Sequence, residues 1–409
     1  MATCRALPPL RSRRASLAAI LGVAAWLLAG CSAAHRPAGG LAAPRASDAW
    51  ALSPRWSPDG KRIAYLTAHG DALAVNLASA DGAPIRETLP PERLANPFVC
   101  RPGTGLCGPD APAWLPDSAS LIVPQAAWST ETAPPSIVTG LALLDPRGGL
   151  RRVAWADPEA RDRLLRARTP TVSPDGRHVT FVTEGLHGLC AVTVAPLARV
   201  TEEPPIALAD PGLDADWPAW SPRGGMLAYR RRVLKAPGAI PSETLRVIQP
   251  GGAVSRTVAV LRDGIATTAS AAPSRNTCPR GARIARPVWS PDAAWIVFEV
   301  WPNETPAHQA AVWLAPADGS RPPQRLSPLD GATYRLPVLR RTGLVLALRS
   351  VGERTVVVRF APPGRPPAAR ALVALPGSDA DWSPDRTRLA VVREGKRRGG
   401  RPLAVVAVP

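Results

Sequence analysis

Few residues in this chain combine the types and the spacing that catalysis or metal binding requires. Two Asp-Ala-Asp triplets, Asp214–Asp216 and Asp379–Asp381, resemble the start of a cation loop, but the remaining ligands of a calcium loop are missing. His187 and Cys190 could contribute to a metal site, yet no Cys-x-x-Cys or His-x-x-x-His pair accompanies them. The sequence also lacks a Gly-x-Ser-x-Gly nucleophile elbow and a phosphate-binding loop. It therefore predicts a protein that is not an enzyme and has no cofactor and no metal.

A short phrase that returns seven times determines how any functional residue is positioned. Its best copy is Trp-Ser-Pro-Asp-Gly at residues 56–60, followed by the apolar run 63–65. We call the first residue of each copy the anchor. The spacing between anchors is typical of repeat architectures, and the anchor is tryptophan in five copies. The anchors are Trp56, Trp114, Val172, Trp220, Trp289, Leu339 and Trp382.

The chemistry of the phrase predicts a hairpin in every copy. In Ser-Pro-Asp-Gly, proline fixes φ at the second turn position and glycine accepts the left-handed conformation, which gives a type I turn followed by a bulge. The apolar run after each turn is typical of a buried strand, and a second apolar run follows it. Each copy thus supplies three strands with room for a fourth. Seven four-stranded sheets around an axis make an all-β, seven-bladed β-propeller.

Ring closure needs one more strand, because the chain stops at Pro409 directly after the third strand of the last copy. An unpaired strand edge is a liability in a soluble protein. We expect residues around Ser47–Ser53 to supply the fourth strand of the last blade. If the degenerate copy near Leu339 is not a blade, the ring would have six blades.

The front of the chain predicts export and lipidation. Residues 1–30 contain four arginines, no acidic residue and an apolar stretch over 15–28, the pattern of a signal peptide. Leu28–Cys31 resembles the lipobox of bacterial lipoproteins, which implies cleavage before Cys31 and its acylation, including palmitate. An ordinary signal peptide is the alternative, and the general secretory and twin-arginine export routes both stay open.

The segment after Cys31 is rich in Ala, Gly, Pro and Arg, and it predicts a flexible tether. The expected organisation is a signal peptide over 1–30, the lipidated cysteine and tether over 31–47, and the propeller over 48–409. Ser32 resembles the residue that sorts lipoproteins to the periplasmic face of the outer membrane, with the inner membrane as the alternative.

The chain carries a formal charge of +18, which becomes +14 once the four signal arginines are removed. Such a surface attracts anionic partners. The arginines are scattered and lack the interleaved aromatic residues of a nucleic-acid platform, so the sequence predicts no nucleic-acid partner.

Four cysteines besides Cys4 and Cys31 lie in the expected propeller: Cys100, Cys107, Cys190 and Cys278. An even number in an exported chain favours disulfides, and sequence alone leaves three pairings open. Cys100 and Cys107 bracket a short turn-rich loop, which would leave Cys190 with Cys278. A zinc site built from these thiols is the alternative.

A candidate binding surface lies four residues before the anchors. If the anchor strand is innermost, these positions surround one mouth of the central channel, where propellers carry function on rigid scaffolding. The charged members of this set are Asp110, Arg168, Asp216 and Arg335. They could instead be solvated strand ends, and the sequence does not identify a small-molecule ligand.

The pattern Pro-x-Trp-Ser-Pro-Asp-Gly-x-x-Ile-Ala-Tyr over residues 54–65 resembles the TolB-type, WD-like propeller repeat. The resemblance covers about residues 48–409. It implies a membrane-anchored envelope scaffold that binds a protein partner without catalysis. The alternatives are a protein that binds or senses cell-wall or surface polysaccharide, and a propeller lyase or hydrolase.

Overall fold

The computed structural model describes residues 50–69, 72–87, 111–129, 136–145, 149–154, 166–184, 190–197, 206–207, 214–233, 242–250, 255–262, 265–267, 282–302, 309–393 and 403–409. Every regular element within these ranges is a β-strand, as the repeats predict. No helix in these ranges could cross a membrane.

The strands form seven antiparallel sheets in chain order, which we call blades 1 to 7. Blade 1 contains β1 (Trp50–Trp56), β2 (Arg62–His69), β3 (Ala72–Ser79) and β4 (Pro84–Glu87). Blade 2 contains β5 (Ala113–Trp114), β6 (Leu121–Ser129), β7 (Ser136–Leu144) and β8 (Leu150–Ala154). Blade 3 contains β9 (Arg166–Val172), β10 (His178–Glu184), β11 (Cys190–Pro196) and β12 (Ile206–Ala207).

The remaining blades follow the same order. Blade 4 contains β13 (Asp214–Trp220), β14 (Leu227–Val233), β15 (Ser242–Ile248), β16 (Ser255–Arg262) and β17 (Ile265–Thr267). Blade 5 contains β18 (Arg283–Trp289), β19 (Trp295–Trp301), β20 (Ala311–Pro316) and β21 (Gln324–Arg325). Blade 6 contains β22 (Thr333–Leu339), β23 (Val345–Val351), β24 (Arg354–Phe360) and β25 (Ala369–Leu375). Blade 7 contains β26 (Ala380–Trp382), β27 (Arg388–Val392) and β28 (Leu403–Ala407).

The first strand of each blade contacts the first strand of the next blade, and β26 contacts β1, so the ring is closed. Each anchor ends a first strand, including Leu339, which confirms seven blades. We call the face where the first strands begin the upper face, and the face that carries the turns between first and second strands the lower face. The buried hydrophobic side chains of the described residues form seven clusters, one at each interface between neighbouring blades.

The turn after every anchor has the predicted conformation. The fourth residue after the anchor has a positive φ in all seven turns, and its N–H donates to the carbonyl of the residue directly after the anchor at 2.7–3.0 Å. These residues are Gly60, Ser118, Gly176, Gly224, Ala293, Gly343 and Arg386. Three copies therefore hold a side chain where glycine is the unstrained choice.

Ala293 gives a direct test of this strain. We expect Ala293→Gly to stabilise the protein by about 0.5 kcal/mol, because relief of the left-handed strain exceeds the extra entropy that glycine loses on folding. Gly60→Ala is the matched opposite change: Gly60 has φ of 68° with no atom closer than 3.8 Å to an added Cβ, so the same balance of strain and entropy predicts a loss of about 0.5 kcal/mol. Urea unfolding measures both, and two changes of the same sign would contradict this account.

The anchor tryptophans join the blades with a hydrogen bond as well as with their ring. The Trp114 Nε1 donates to the carbonyl of Arg55 at 2.9 Å, and the Trp289 Nε1 donates to that of Ala219 at 3.0 Å. Each acceptor is the residue just before the anchor of the preceding blade. The guanidinium of Arg62 in blade 1 lies 5.4 Å from the centre of the Trp114 ring, a cation–π distance. Equivalent positions of the repeat thus join blade 1 to blade 2 and blade 4 to blade 5.

The predicted closing strand is wrong. Trp50–Ser53 forms the start of β1 and pairs with β2 in blade 1, while blade 7 has three strands among the described residues. The reason is local: these residues precede an anchor and its turn, and the hairpin Trp56–Arg62 pairs them with the next strand along the chain.

Side-chain contacts between blades 7 and 1 close the ring. The Trp56 Nε1 donates to the carbonyl of Asp381 at 3.1 Å, and the Arg388 guanidinium lies 4.8 Å from the centre of the Trp56 ring. The carboxylate of Asp379 accepts from the N–H of Ser53 at 2.7 Å, and that of Asp381 accepts from the N–H of Trp56 at 2.9 Å. We call these contacts the seam.

Candidate functional site

The positions four residues before the anchors are equivalent in blades 1, 3, 4, 5 and 6. In each of these blades the residue lies on the first strand, at the last paired position before a bulge. In blade 7 the corresponding residue, Ser378, lies just before β26. The pairs are Leu52 with Leu66, Arg168 with Val182, Asp216 with Arg230, Ala285 with Glu299, and Arg335 with Leu348. Of the predicted binding residues, Asp110 lies outside the described residues, and only the backbone of Arg168 is described.

The bulge explains the proline two residues before the anchor. The residue that precedes this proline has a positive φ in five blades: Ser53, Thr169, Trp217, Arg286 and Leu336. Such a conformation turns the backbone N–H out of the sheet ladder, and proline at the next position needs no ladder hydrogen bond. The freed N–H of Ser53 and that of Leu336 donate to carboxylates of the preceding blades, Asp379 and Glu299.

Asp216 is buried and forms an ion pair with Arg230. Its exposed fraction is 7%, and its carboxylate lies 3.9 Å from the guanidinium of Arg230, which is 5% exposed. The Arg230 Nε donates to the Oε2 of Glu243 at 2.7 Å. The predicted charge at this position therefore belongs to the interior of blade 4.

Glu243 is the centre of this buried group. It is 1% exposed, and Arg232 approaches its other oxygen, Oε1, at 3.7 Å. Burial raises the pKa of the Glu243 carboxyl, although the charges of Arg230 and Arg232 act in the opposite direction. A carboxylate in so dry a place is stable only while its cation is present.

Glu299 is a second buried carboxylate approached by an arginine, and it lies in blade 5. It is fully buried, its Oε2 accepts from the Nε1 of Trp301 at 2.8 Å, and its Oε1 accepts from the N–H of Leu336 in blade 6 at 2.8 Å. Arg286 lies 3.6 Å from the same Oε1. Glu299 therefore links two blades at the level of the predicted channel mouth.

The second Asp-Ala-Asp triplet also has a structural role. Asp379 and Asp381 bind backbone amides across the seam, and burial raises the pKa of the Asp381 carboxyl despite Arg55 at 3.9 Å. Among the described residues, no three His, Cys, Asp or Glu side chains meet in a cluster that could hold a metal ion. The triplet thus uses its carboxylates to join blades.

The cysteine predictions are not tested by the structure. Cys31, Cys100, Cys107 and Cys278 lie outside the described residues, and of Cys190 only the backbone, the first residue of β11, is described. Disulfide formation and lipidation therefore stay predictions.

Sequence analysis missed an exposed apolar corner on the upper face of blade 6. Leu329 has 84% of its surface exposed and Val351 has 50%. Between them, the carboxylate of Asp330 accepts from the Tyr334 hydroxyl at 2.8 Å and from the Arg349 guanidinium at 2.9 Å. We call Leu329, Asp330, Arg349 and Val351 the blade 6 corner. The signal that could have found it is the leucine inside the turn sequence Ser-Pro-Leu-Asp-Gly at residues 327–331.

Hydrogen bonds hold this corner rigid. The N–H of Ala332 donates to Asp330 at 3.2 Å, and the Arg349 Nε donates to the Tyr334 hydroxyl at 3.1 Å. Burial and the bond to Asp330 raise the pKa of Tyr334 to about 12, so its hydroxyl keeps its proton at neutral pH. Arg349 and Val351 are two residues apart on one strand and share a face. The two exposed apolar side chains therefore flank one fixed ion pair.

Several solved structures are similar to this chain. A hydrazine synthase chain from Kuenenia stuttgartiensis is 15% identical with a TM-score of 0.55, and the match covers 92% of this chain and 99% of that one. A puromycin-hydrolysing peptidase from Mycobacterium tuberculosis is 17% identical with a TM-score of 0.53, and the match covers 88% of this chain and 52% of the peptidase. TolB from Acinetobacter baumannii is 17% identical with a TM-score of 0.44, over 78% of this chain and 65% of TolB.

No protein-family profile matches this sequence, and no curated protein matches it significantly. Because so few residues are identical, the similarities to the hydrazine synthase chain and to the peptidase establish a common fold and carry no activity. This chain spans about half of the peptidase. The sheet order, the closed ring of first strands and these two similarities together identify residues 50–409 as a seven-bladed β-propeller.

Proposed function

We propose that this chain is a lipid-anchored protein of the cell envelope whose propeller docks a protein partner without catalysing a reaction. Three features support the proposal: the lipobox-like sequence at Leu28–Cys31, the rigid closed ring, and the blade 6 corner. The corner is the observation that carries the docking role. The TolB-like repeat favours a location in the periplasm, with the anchor at the outer membrane.

The blade 6 corner combines exposed apolar surface with an arginine held by hydrogen bonds. Arginine is enriched at the centres of protein interfaces, and burial of apolar surface favours association. Leu329 and Val351 are exposed, whereas Tyr334, Leu346 and Val357 of the same blade are buried, and Arg349 is held in place by Asp330 and Tyr334. Little conformational entropy is then lost when a partner covers the corner, which favours binding.

The ion pairs at the upper ends of blades 4 and 5 support a role as scaffold. Asp216, Glu243 and Glu299 are each buried and each approached by an arginine. A general acid or base must reach its substrate, whereas these carboxylates face protein cations and amides. They are suited to fixing the positions of first strands around the channel.

The test is capture of a partner from detergent-solubilised envelope with the full chain as bait. We expect one protein to be recovered in stoichiometric amount, and the double variant Leu329→Ser/Val351→Ser to reduce its apparent affinity by at least about tenfold, the effect of removing one or two central contacts. Ile85→Ser is the matched control, because Ile85 is 55% exposed but lies on β4 of blade 1.

Two outcomes would count against the proposal. Equal capture by the double variant and by wild type would remove the blade 6 corner as the docking site. Recovery of no stoichiometric protein, together with a change of tryptophan fluorescence on adding cell-wall glycan fragments, would favour the polysaccharide-binding alternative.

A further inference from the structure

Positive charge is concentrated in blade 6. Residues 339–375 contain seven arginines and one acidic residue, Glu353, whereas the whole chain has 50 basic and 32 acidic residues. The arginine-rich composition of the chain therefore does not explain this blade by itself. The location of these side chains decides whether they form one surface.

Four of the seven arginines lie exposed at the lower end of blade 6. Arg359 is near the end of β24, Arg370 is near the start of β25, Arg365 is in the turn between these strands, and Arg341 is in the turn between β22 and β23. We call these four residues the lower arginine cluster. No carboxylate of the described residues forms an ion pair with any of them.

The register places two of these charges directly against each other. Arg359 pairs with Arg370 across β24 and β25, so both side chains leave the same face of the sheet. Like charges directly opposite each other in a sheet are unfavourable. A ligand that carries clustered negative charge would relieve this repulsion, and a protein cation or a neutral ligand would not.

Two neighbouring arginines, Arg340 and Arg386, donate hydrogen bonds to backbone carbonyls of the propeller. The Arg340 guanidinium donates to the carbonyls of Arg386, Val408 and Pro409 at 2.8–3.0 Å. Arg386 donates to the carbonyls of Leu339 and Trp289. These two residues link blades 5, 6 and 7 through hydrogen bonds next to the turn that carries Arg341.

We propose that the lower arginine cluster binds the phosphate groups of anionic phospholipid headgroups. Arginine donates paired N–H groups that match phosphate oxygens, and basic side chains near a negatively charged membrane surface each add to the attraction. The choice of a lipid source rests on the membrane anchoring proposed above.

The length of chain between Cys31 and β1 permits this contact. Residues 32–49 number 18, and a chain of that length spans at most about 60 Å. A seven-residue strand such as β1 is about 23 Å long. The length of this segment therefore does not prevent the lower face from approaching the bilayer that holds the anchor.

The test uses the full chain in uncharged detergent micelles and inorganic tripolyphosphate as the soluble probe. We expect calorimetric binding that weakens as salt is raised, and we expect Arg359→Gln/Arg370→Gln to reduce the affinity at least about tenfold. The matched control is Arg354→Gln/Arg393→Gln, which removes the same charge from exposed positions at the upper face and should stay within about twofold of wild type. Equal losses in both variants would show a general charge effect and overturn the proposal.

A second measurement tests the lipid source. When roughly one-fifth of the micelle is phosphatidylglycerol, headgroups close to the anchored protein should compete, and tripolyphosphate binding should fall severalfold for wild type. Unchanged binding would overturn the assignment to membrane lipid. Neither arm involves the blade 6 corner, so failure here leaves the capture experiment unaffected, and failure of capture leaves the cluster unaffected.

Discussion

Arg230→Met is expected to destabilise the propeller by about 3–5 kcal/mol at neutral pH, because it removes the buried cation that is hydrogen-bonded to the Glu243 carboxylate and leaves only the partly exposed Arg232 near it. Glu243 is 1% exposed and accepts a 2.7 Å hydrogen bond from Arg230, which also lies 3.9 Å from Asp216. Loss of this one guanidinium thus affects two buried carboxylates. Urea unfolding followed by circular dichroism measures the change.

Arg232→Met is the matched control. Arg232 approaches the same Glu243 at 3.7 Å, but its side chain is 24% exposed, so we expect a loss of about 1 kcal/mol or less. If Arg230→Met cost no more than Arg232→Met, the buried ion pair would not have the role described here.

The loss should also depend on pH, with a definite sign. Burial raises the pKa of Glu243 above its ordinary value of 4.5, so between these two values the folded state binds more protons than the unfolded state. Stability then falls as pH rises through that window. The positive charge of Arg230 lowers the pKa of Glu243. Without Arg230 this pKa is higher, so the pH range over which stability falls extends to higher pH. We therefore expect the deficit of Arg230→Met to shrink as pH falls from about 8 to about 5; a deficit that grew on acidification would contradict this explanation.

Trp56→Ala is expected to have the second large effect, a loss of about 3–5 kcal/mol in the free energy of unfolding. Trp56 is 6% exposed, donates to the carbonyl of Asp381 across the seam, and carries Arg388 over its ring. Its removal opens the cluster in which blade 7 packs on blade 1. Trp56→Phe keeps most of that packing and should cost about 1–2 kcal/mol for the lost hydrogen bond.

Trp114→Ala distinguishes the seam from an ordinary blade interface. Trp114 has the equivalent hydrogen bond to Arg55 and the equivalent arginine, Arg62, between blades 1 and 2. If side-chain contacts close the ring, Trp56→Ala should cost as much as Trp114→Ala. A much smaller loss for Trp56→Ala would show that another part of the chain holds blades 7 and 1 together.

The sequence could predict what depends on near neighbours along the chain. The proline and the left-handed residue of each turn determine the hairpin locally, and the following apolar runs give the strands. The number of blades follows from counting such hairpins, and even the degenerate copy near Leu339 forms one.

Tertiary structure decided the relations between residues that are distant along the chain. Residues 50–53 were expected in the last blade, but local pairing placed them in the first, and Asp379 and Asp381 bind amides at the opposite end of the propeller sequence. Asp216 was predicted at the channel mouth; the structure places Arg230, opposite it on the next strand, 3.9 Å from its carboxylate, and Arg230 also binds Glu243.

The repeat determines which side of a strand a residue occupies, but not which residue of the adjacent blade it contacts. That choice depends on how the sheets are rotated against each other and on the register of each outer strand. The bulge at Val357/Val358 that brings Arg359 opposite Arg370 is one such register. The repeated turns therefore determined seven blades from sequence alone. The ion pairs of blade 4 and the lower arginine cluster depend on the register between strands of one blade, and the seam depends on the packing of blade 7 on blade 1. Near neighbours along the chain determine neither of these.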